Sequence, residues 1–297
     1  MNEIIECVPN ISEGRNKEVI DKVIENLKKT GVKLLDYSSD PDHNRTVITF
    51  AGDRTTVKQG AIQVAKDALR LIDLRHHKGT HPRMGAVDVI PFIPISGVAM
   101  KECVELSKEV GKEIAEELKI PVFLYAESAT SDLRKSLPEI RKGEFEGFSE
   151  KIKDPQWIPD FGPTEVHPSA GVTAVGAREF LIAFNVNLDT TDISVAKKIA
   201  RSIRESSGGL MYIQAKEMYL EDKGCTQVSI NILNYKKAPI YRVFEIVKME
   251  AQRYGVSILE SELVGLMPMK AALESFAFYI QLPQLAEDQI IETKIYE

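Results

Sequence analysis

The feature that most limits what this chain can become is an order of elements that occurs twice. Glu3–Val8 is a short apolar run closed by Pro9-Asn10. Ser12 is the expected helix cap, helical periodicity runs from about Asn16 to Lys29, and Gly31 stops it. Val32–Tyr37 and Thr46–Ala51 read as strands on either side of the turn-rich SSDPDHNR. Within Arg54–Leu74, Val57, Ala61, Val64, Ala65, Ala68 and Leu71 recur at three and four, which predicts a helix. Gly85–Ile95 is the next strand, so the first half reads βαββαβ.

The order returns after Arg178. Glu179–Asn187 reads as a strand, and Thr191 or Asp192 caps a helix to about Glu205. Leu210–Leu220 and Thr226–Leu233 are strands joined through EDKG. Pro239–Tyr254 is a helix with Pro in its first turn, and Val256–Leu266 is a strand. The residues themselves do not repeat, so the duplication is one of architecture. Each half is the ferredoxin-like unit. The expected fold is α+β: two such subdomains, 1–178 and 179–297, with facing sheets and helices outside. Between the units, Lys101–Leu118 reads as a helix and Pro121–Ala126 as a strand. A long irregular stretch, KIKDPQWIPDFGPTEVHPSAGVTAVGAR, follows them. Loops of that length are commonly functional, and this one is expected to line a site.

Charge and cysteines narrow the function. A formal net charge of -6 argues against a general nucleic-acid binder, which needs a basic excess. Cys7, Cys103 and Cys225 are odd in number, far apart and without CxxC spacing, so free buried thiols in a reducing compartment are expected. No apolar run approaches the roughly 18 residues of a membrane span. The expectation is a cytoplasmic protein without membrane or nucleic-acid partners, assembled as a homodimer.

Three of the five histidines fall in HHKGTHPRMG, from His76. His76 and His77 are adjacent and point opposite ways on extended backbone, which disfavours a shared metal ion, and no metal site is expected. Their simpler role is at a helix end, where a cation is favoured. His81 differs: Pro82 restricts its backbone, and it sits where a loop enters a buried strand. An imidazole fixed there is either structural or an acid–base group near neutral pH. Ser207-Gly208-Gly209 lacks the context of a nucleotide-binding loop. Glu260 and Glu262 share one face of a strand, usually the mark of an exposed face.

HPRMGAVDVIPFIP, taken with CVPNISEG, NRTVITFAG, VGAREFLIAFNVNL, QVSINILN and SELVGL, resembles the formiminotransferase family from about Ile4 to about Phe278. The resemblance implies paired ferredoxin-like subdomains around a substrate tunnel. It implies transfer of a formimino group from N-formimino-L-glutamate to N5 of tetrahydrofolate in histidine breakdown. His81 stands at the family's catalytic histidine. The folate-binding stretch corresponds to Gly162, Pro163, Thr164, Glu165, Val166, His167, Pro168, Ser169, Ala170 and Gly171. Read from the residues alone, Phe161 is expected to supply an adjacent apolar face. The stretch departs from animal members at His167 and Ala170. That leaves N-formylglutamate or 5-formyltetrahydrofolate chemistry as the alternative.

The chemistry implied is compact. The attacking amine loses a proton and the departing glutamate nitrogen gains one, so one neutral imidazole serves as base and then acid. No oxyanion forms. Both substrates carry carboxylates, so fixed cations are needed. Arg83 and Arg45 are the candidates, because guanidinium binds carboxylate through two prongs. Asn10, Ser12 and Asn44 offer neutral hydrogen bonds from adjacent strand ends. Surface ion pairing for the arginines, and helix capping for Asn10 and Ser12, are the plainer alternatives.

Overall fold

The computed structural model describes residues 3–296 and divides into two units, the second beginning at Phe180. The first contains β1 (Ile4–Cys7), β2 (Asn10–Ile11), α1 (Lys17–Lys28), β3 (Lys33–Asp40), β4 (Arg45–Gly52), α2 (Arg54–Leu71), β5 (Val87–Ser96), α3 (Met100–Leu118), β6 (Val122–Ala126), α4 (Leu137–Arg141), α5 (Glu144–Lys151) and β7 (Thr173–Ala177). Alternation sets the faces. Along β4, Ile48 and Phe50 turn into the core, while Arg45, Val47 and Thr49 take the other side and are only half-buried. Helix α1 follows the same logic at helical spacing: Ile20, Val23, Ile24 and Leu27 form its buried stripe. Its cap is Asn16, whose Oδ1 accepts from the amides of Glu18 and Val19, and not Ser12 as expected. Ser12 Oγ instead donates to Gly85 O at 2.7 Å.

The first sheet has seven strands. β3 pairs with β4, β4 with β1 and β2, and those with β5, all antiparallel, which is the ferredoxin-like arrangement. The sheet then continues. β7 lies parallel between β5 and β6. Thr173–Ala177 is therefore a central strand and not the end of a loop. The chain moves from β5 outward to β6 through α3 and then back to β7. Crossovers between parallel strands are right-handed, so the return connection must lie on the opposite face from α3. There it builds a second small core, with Ile140, Phe148, Ile152 and Trp157 packed on Phe123, Val89 and Ala174. The rule thus brings α4 and α5 onto the face opposite α1–α3.

The second unit contains β8 (Ile182–Leu188), α6 (Ile193–Ile203), β9 (Ile213–Leu220), β10 (Cys225–Ile232), α7 (Ile240–Arg253), β11 (Ile258–Val264), α8 (Met269–Tyr279) and α9 (Ile291–Tyr296). Its sheet order is β11-β8-β10-β9, antiparallel throughout. Val186, Ile199, Val228 and Val247 are among its core. On the other face Asn187 donates to Glu260 at 3.0 Å and Gln227 to Glu262 at 3.2 Å. These two glutamates therefore join an amide–carboxylate layer. Both halves are the ferredoxin-like units expected, the first enlarged by two strands. Among the described residues, no helix is long and apolar enough to cross a membrane.

Candidate active site

The segment from Asp73 to Ala86 approaches β5 without regular structure, and its shape is set from outside. Asn44 has a left-handed backbone (φ 51) in the β3–β4 turn. Its Oδ1 accepts from Gly14 N at 2.8 Å, its Nδ2 donates to Lys78 O at 3.0 Å, and its carbonyl oxygen meets His77 Nε2 at 2.8 Å. Both polar ends of this side chain are committed to bracing three segments. Ser12, through Gly85, braces the start of β5. Asn10 lies opposite Val47 in the ladder, hence on the face away from α1–α3, and its Nδ2 donates to Val8 O.

His81 is 4% exposed. Its Nε2 lies 3.4 Å from Asp88 Oδ2. Asp88 is fully buried and also accepts from Met84 N at 2.8 Å and from Arg141 at 2.8 Å (Nε) and 2.5 Å (Nη2). Burial opposes ionisation of Asp88, but the Arg141 charge and the hydrogen bonds from His81 and Met84 hold its pKa at about 2. Burial lowers the pKa of His81. The Asp88 hydrogen bond and charge oppose that, and the Arg141 and Arg45 charges add to it. The imidazole is thus kept neutral at neutral pH. Because an ionised carboxylate only accepts, Nε2 carries the proton and Nδ1 the lone pair.

Arg45 completes the cluster. Its buried Nε has no hydrogen-bond partner among the described residues. Burial and the Arg141 charge lower its pKa, with Asp88 and Asp40 opposing. A guanidinium of this kind is suited to an incoming anion. Arg83 is otherwise disposed. It donates to His77 Nδ1 at 3.1 Å, and Nη1 and Nη2 grip Glu146 at 2.9 and 2.5 Å, with Glu144 alongside at 3.1 Å. His77 is held between Asn44 and Arg83, and His76 is exposed. α2 ends at Leu71, so neither histidine meets a helix end as expected. Among the described residues no group of three His, Cys, Asp or Glu side chains is placed to hold a metal ion.

The stretch Gly162–Gly171 is open at its start and tied at its end. Gly162, Thr164, Glu165 and Pro168 are exposed, and Pro163, Val166, His167 and Ser169 are half-buried. His167 and Gly171 exchange backbone hydrogen bonds, and His167 Nδ1 accepts from Ala170 N at 3.0 Å. Ala170 O accepts from Ala86 N, and Ser169 O from Leu74 N, so the stretch is laced to both ends of the His81 segment. Gly171 has φ +70, and a Cβ there would lie 2.1 Å from Met84 O. Phe161 does not face the stretch as expected; its ring packs in the main core against Gly111 of α3. A cavity of about 660 Å³ opens between α5 and the stretch, lined among others by Ile152, Ile158, Thr164 and Val166.

Of the sequence-derived candidates, the structure gathers His81 and Arg45 at one cluster, places Asn10 on the same sheet face, and uses Ser12 and Asn44 as braces. Asp88 and Arg141 were not among the candidates.

Residues 4–178 match the N-terminal subdomain of the formiminotransferase domain, and residues 183–296 match the formiminotransferase domain. A glutamate formimidoyltransferase of Streptococcus pyogenes serotype M1 is 49% identical over 99% of both chains. One of Thermoplasma acidophilum is 45% identical over 98% of this chain and 97% of that one. The formimidoyltransferase-cyclodeaminase of Rattus norvegicus is 47% identical over 96% of this chain, which spans 54% of it.

Proposed function

The chain belongs to the formiminotransferase family, and we propose that it is a one-carbon transferase carrying the formimino group of N-formimino-L-glutamate to N5 of tetrahydrofolate in histidine breakdown. The observation that carries the site assignment is a buried imidazole oriented by a buried carboxylate, with Arg45, whose buried Nε has no hydrogen-bond partner among the described residues, in the same cluster. His81 Nδ1 takes the proton from the attacking amine and returns it to the departing glutamate nitrogen. One C–N bond forms, one breaks, and the proton count is unchanged. Tetrahydrofolate supplies the accepting amine when bound. Asp88 holds the tautomer that makes this possible, and Arg45 takes a substrate carboxylate.

Arg83 enters this reading as a second clamp. Glu146, whose side chain is 63% exposed, already makes with it the two-pronged contact a substrate carboxylate would make. Asn10 offers its amide oxygen to the same face, while Ser12 and Asn44 act by holding the loops. Cytoplasmic location belongs to the reading, since Cys7, Cys103 and Cys225 are buried free thiols. So does a working homodimer, which light scattering reads directly.

Comparing donors tests the function. N-formimino-L-glutamate should be turned over with tetrahydrofolate and N-formyl-L-glutamate should not; the reverse preference would sink the assignment. Arg45→Lys keeps the charge and loses the fork. It should raise the KM for the glutamyl donor roughly tenfold, with a smaller change in kcat. An unchanged KM would place Arg45 outside the site.

Gly162–Gly171 is assigned to the folate because its exposed half borders a cavity and its tied half touches the His81 segment. Positive φ at Gly162 and Gly171 seats the stretch against Ile120 O and Met84 O, and two prolines keep its ordering cost low. A bound folate analogue should slow proteolysis and hydrogen exchange across these residues. Protection elsewhere, with the analogue saturating, would reassign them to a plain surface connection.

A further inference from the structure

We propose that Lys151 is a positioning residue for the His81 site, holding Arg141 against Asp88 by gathering the carbonyl groups at the end of α4. α4 has five residues, too few to keep helical geometry unaided. Its last residue is Arg141, so the guanidinium that neutralises Asp88 hangs from a helix end that something else must fix. Lys151, the last residue of α5, does so. Its Nζ donates to Glu139 O at 2.6 Å, Ile140 O at 2.7 Å and Lys142 O at 3.0 Å. An ammonium has three donors, and these contacts use all of them. The site is also where a cation is favoured, the negative end of a helix.

The aromatic side chains hold the cation in turn. Nζ sits 3.8 Å from the centroid of the Trp157 ring and 5.1 Å from that of Phe148. Phe148 packs on Phe123 with centroids 5.4 Å apart, and Phe123 stands on β6. The chain of contacts therefore runs from the sheet through Phe123, Phe148 and Lys151 to α4. From α4 it runs through Arg141 and Asp88 to His81. Burial lowers the Lys151 pKa to about 8, with the Glu139 charge opposing and the Lys142 charge adding. A cation is kept in a place that taxes it, which an apolar residue would fill more easily if only packing mattered.

The inference rests on the His81 reading above, and its test separates the two. Lys151→Met, Lys151→Arg, Arg141→Gln and Lys151→Met/Arg141→Gln are compared with the parent enzyme. The readouts are kcat, KM, the pH profile of kcat/KM, His81 titration by NMR and thermal unfolding. Lys151→Met should lower kcat roughly 10- to 100-fold, the scale of a small misplacement, with KM for both substrates nearly unchanged. The groups facing His81 are Asp88, Arg141 and Arg45. Withdrawing Arg141 removes one that lowers its pKa, so the His81 titration and the acidic limb should both move to higher pH. Arg141→Gln should move them the same way, and the double variant should be no worse than Arg141→Gln alone. Lys151→Arg, which keeps a cation, should recover most of the loss. If Lys151→Met does not fold, Lys151→Gln is judged by the same readouts. A lower Tm with unmoved kcat and titration, or losses that add in the double variant, would make Lys151 a packing residue only. Full activity in His81→Ala would instead overturn the reading on which the inference stands.

Discussion

His81→Ala should remove most turnover, roughly 10²–10⁴-fold in kcat, while folate binding stays nearly intact. The expectation follows from geometry. His81 reaches Asp88 on its Nε2 side, so Nδ1 is the nitrogen left for the proposed proton transfer. His76→Ala, at an exposed position, should do little. His77→Ala should cost less than His81→Ala, because His77 braces Asn44 and Arg83 and does not face Asp88. Equal losses at all three, with stoichiometric zinc in the purified protein, would replace proton transfer by a metal mechanism. If His81 is the base proposed above, its working form is the neutral imidazole; burial lowers its pKa, so activity should fall only as pH drops below the usual histidine range.

Asp88→Asn should damage both stability and rate. The amide keeps the shape and can still accept from Met84 N, but Arg141, whose side chain is 15% exposed, then faces no charge. Leaving one member of a buried pair alone costs about 3–5 kcal/mol. The rate falls for a second reason. An amide that turns its NH2 to His81 Nε2 favours the tautomer with the proton on Nδ1, the wrong atom for a base. Denaturant unfolding and kcat/KM at pH 7 measure the two effects. A folded variant with undiminished kcat/KM would show that His81 needs no carboxylate to orient it.

The element order, and with it the ferredoxin-like character of both halves, was legible because alternation and helical periodicity are local signals. Two things were not. Thr173–Ala177 is a strand of small residues, TAVGA, buried on both faces, so it has neither alternation nor bulky apolar side chains. Gly176 looked like a loop residue, but a Cβ there would lie 2.3 Å from Tyr125 O in the neighbouring strand. The partners of His81 were the other omission. Asp88 did carry a signal: a lone carboxylate inside AVDVIPFIPI is a charge in a buried strand, and such a charge needs a counter-charge. Arg141 carried none. It lies 53 residues from Asp88, on a helix too short to show periodicity, and is brought there by the handedness of a crossover. The grip of Arg83 on Glu144 and Glu146 depends on a segment that its HPRMG motif does not contain.

β7 is the last strand of its sheet to leave the ribosome, yet its place is between two strands made earlier. Translation adds the roughly 50 residues from Ala126 to Ala177 in about 3–10 s. Through that interval β5 presents a long apolar edge, and β6 has no neighbour to pair with. Such edges recruit other chains. Arg141 also emerges within this window, so Asp88 waits for its counter-charge while the sheet waits for its last strand. Completion of the His81–Asp88–Arg141 cluster and closure of the sheet are therefore late events of the same stage of biosynthesis. A nascent chain halted before Thr173 carries the His81 motif without the strand that lets the unit close around it.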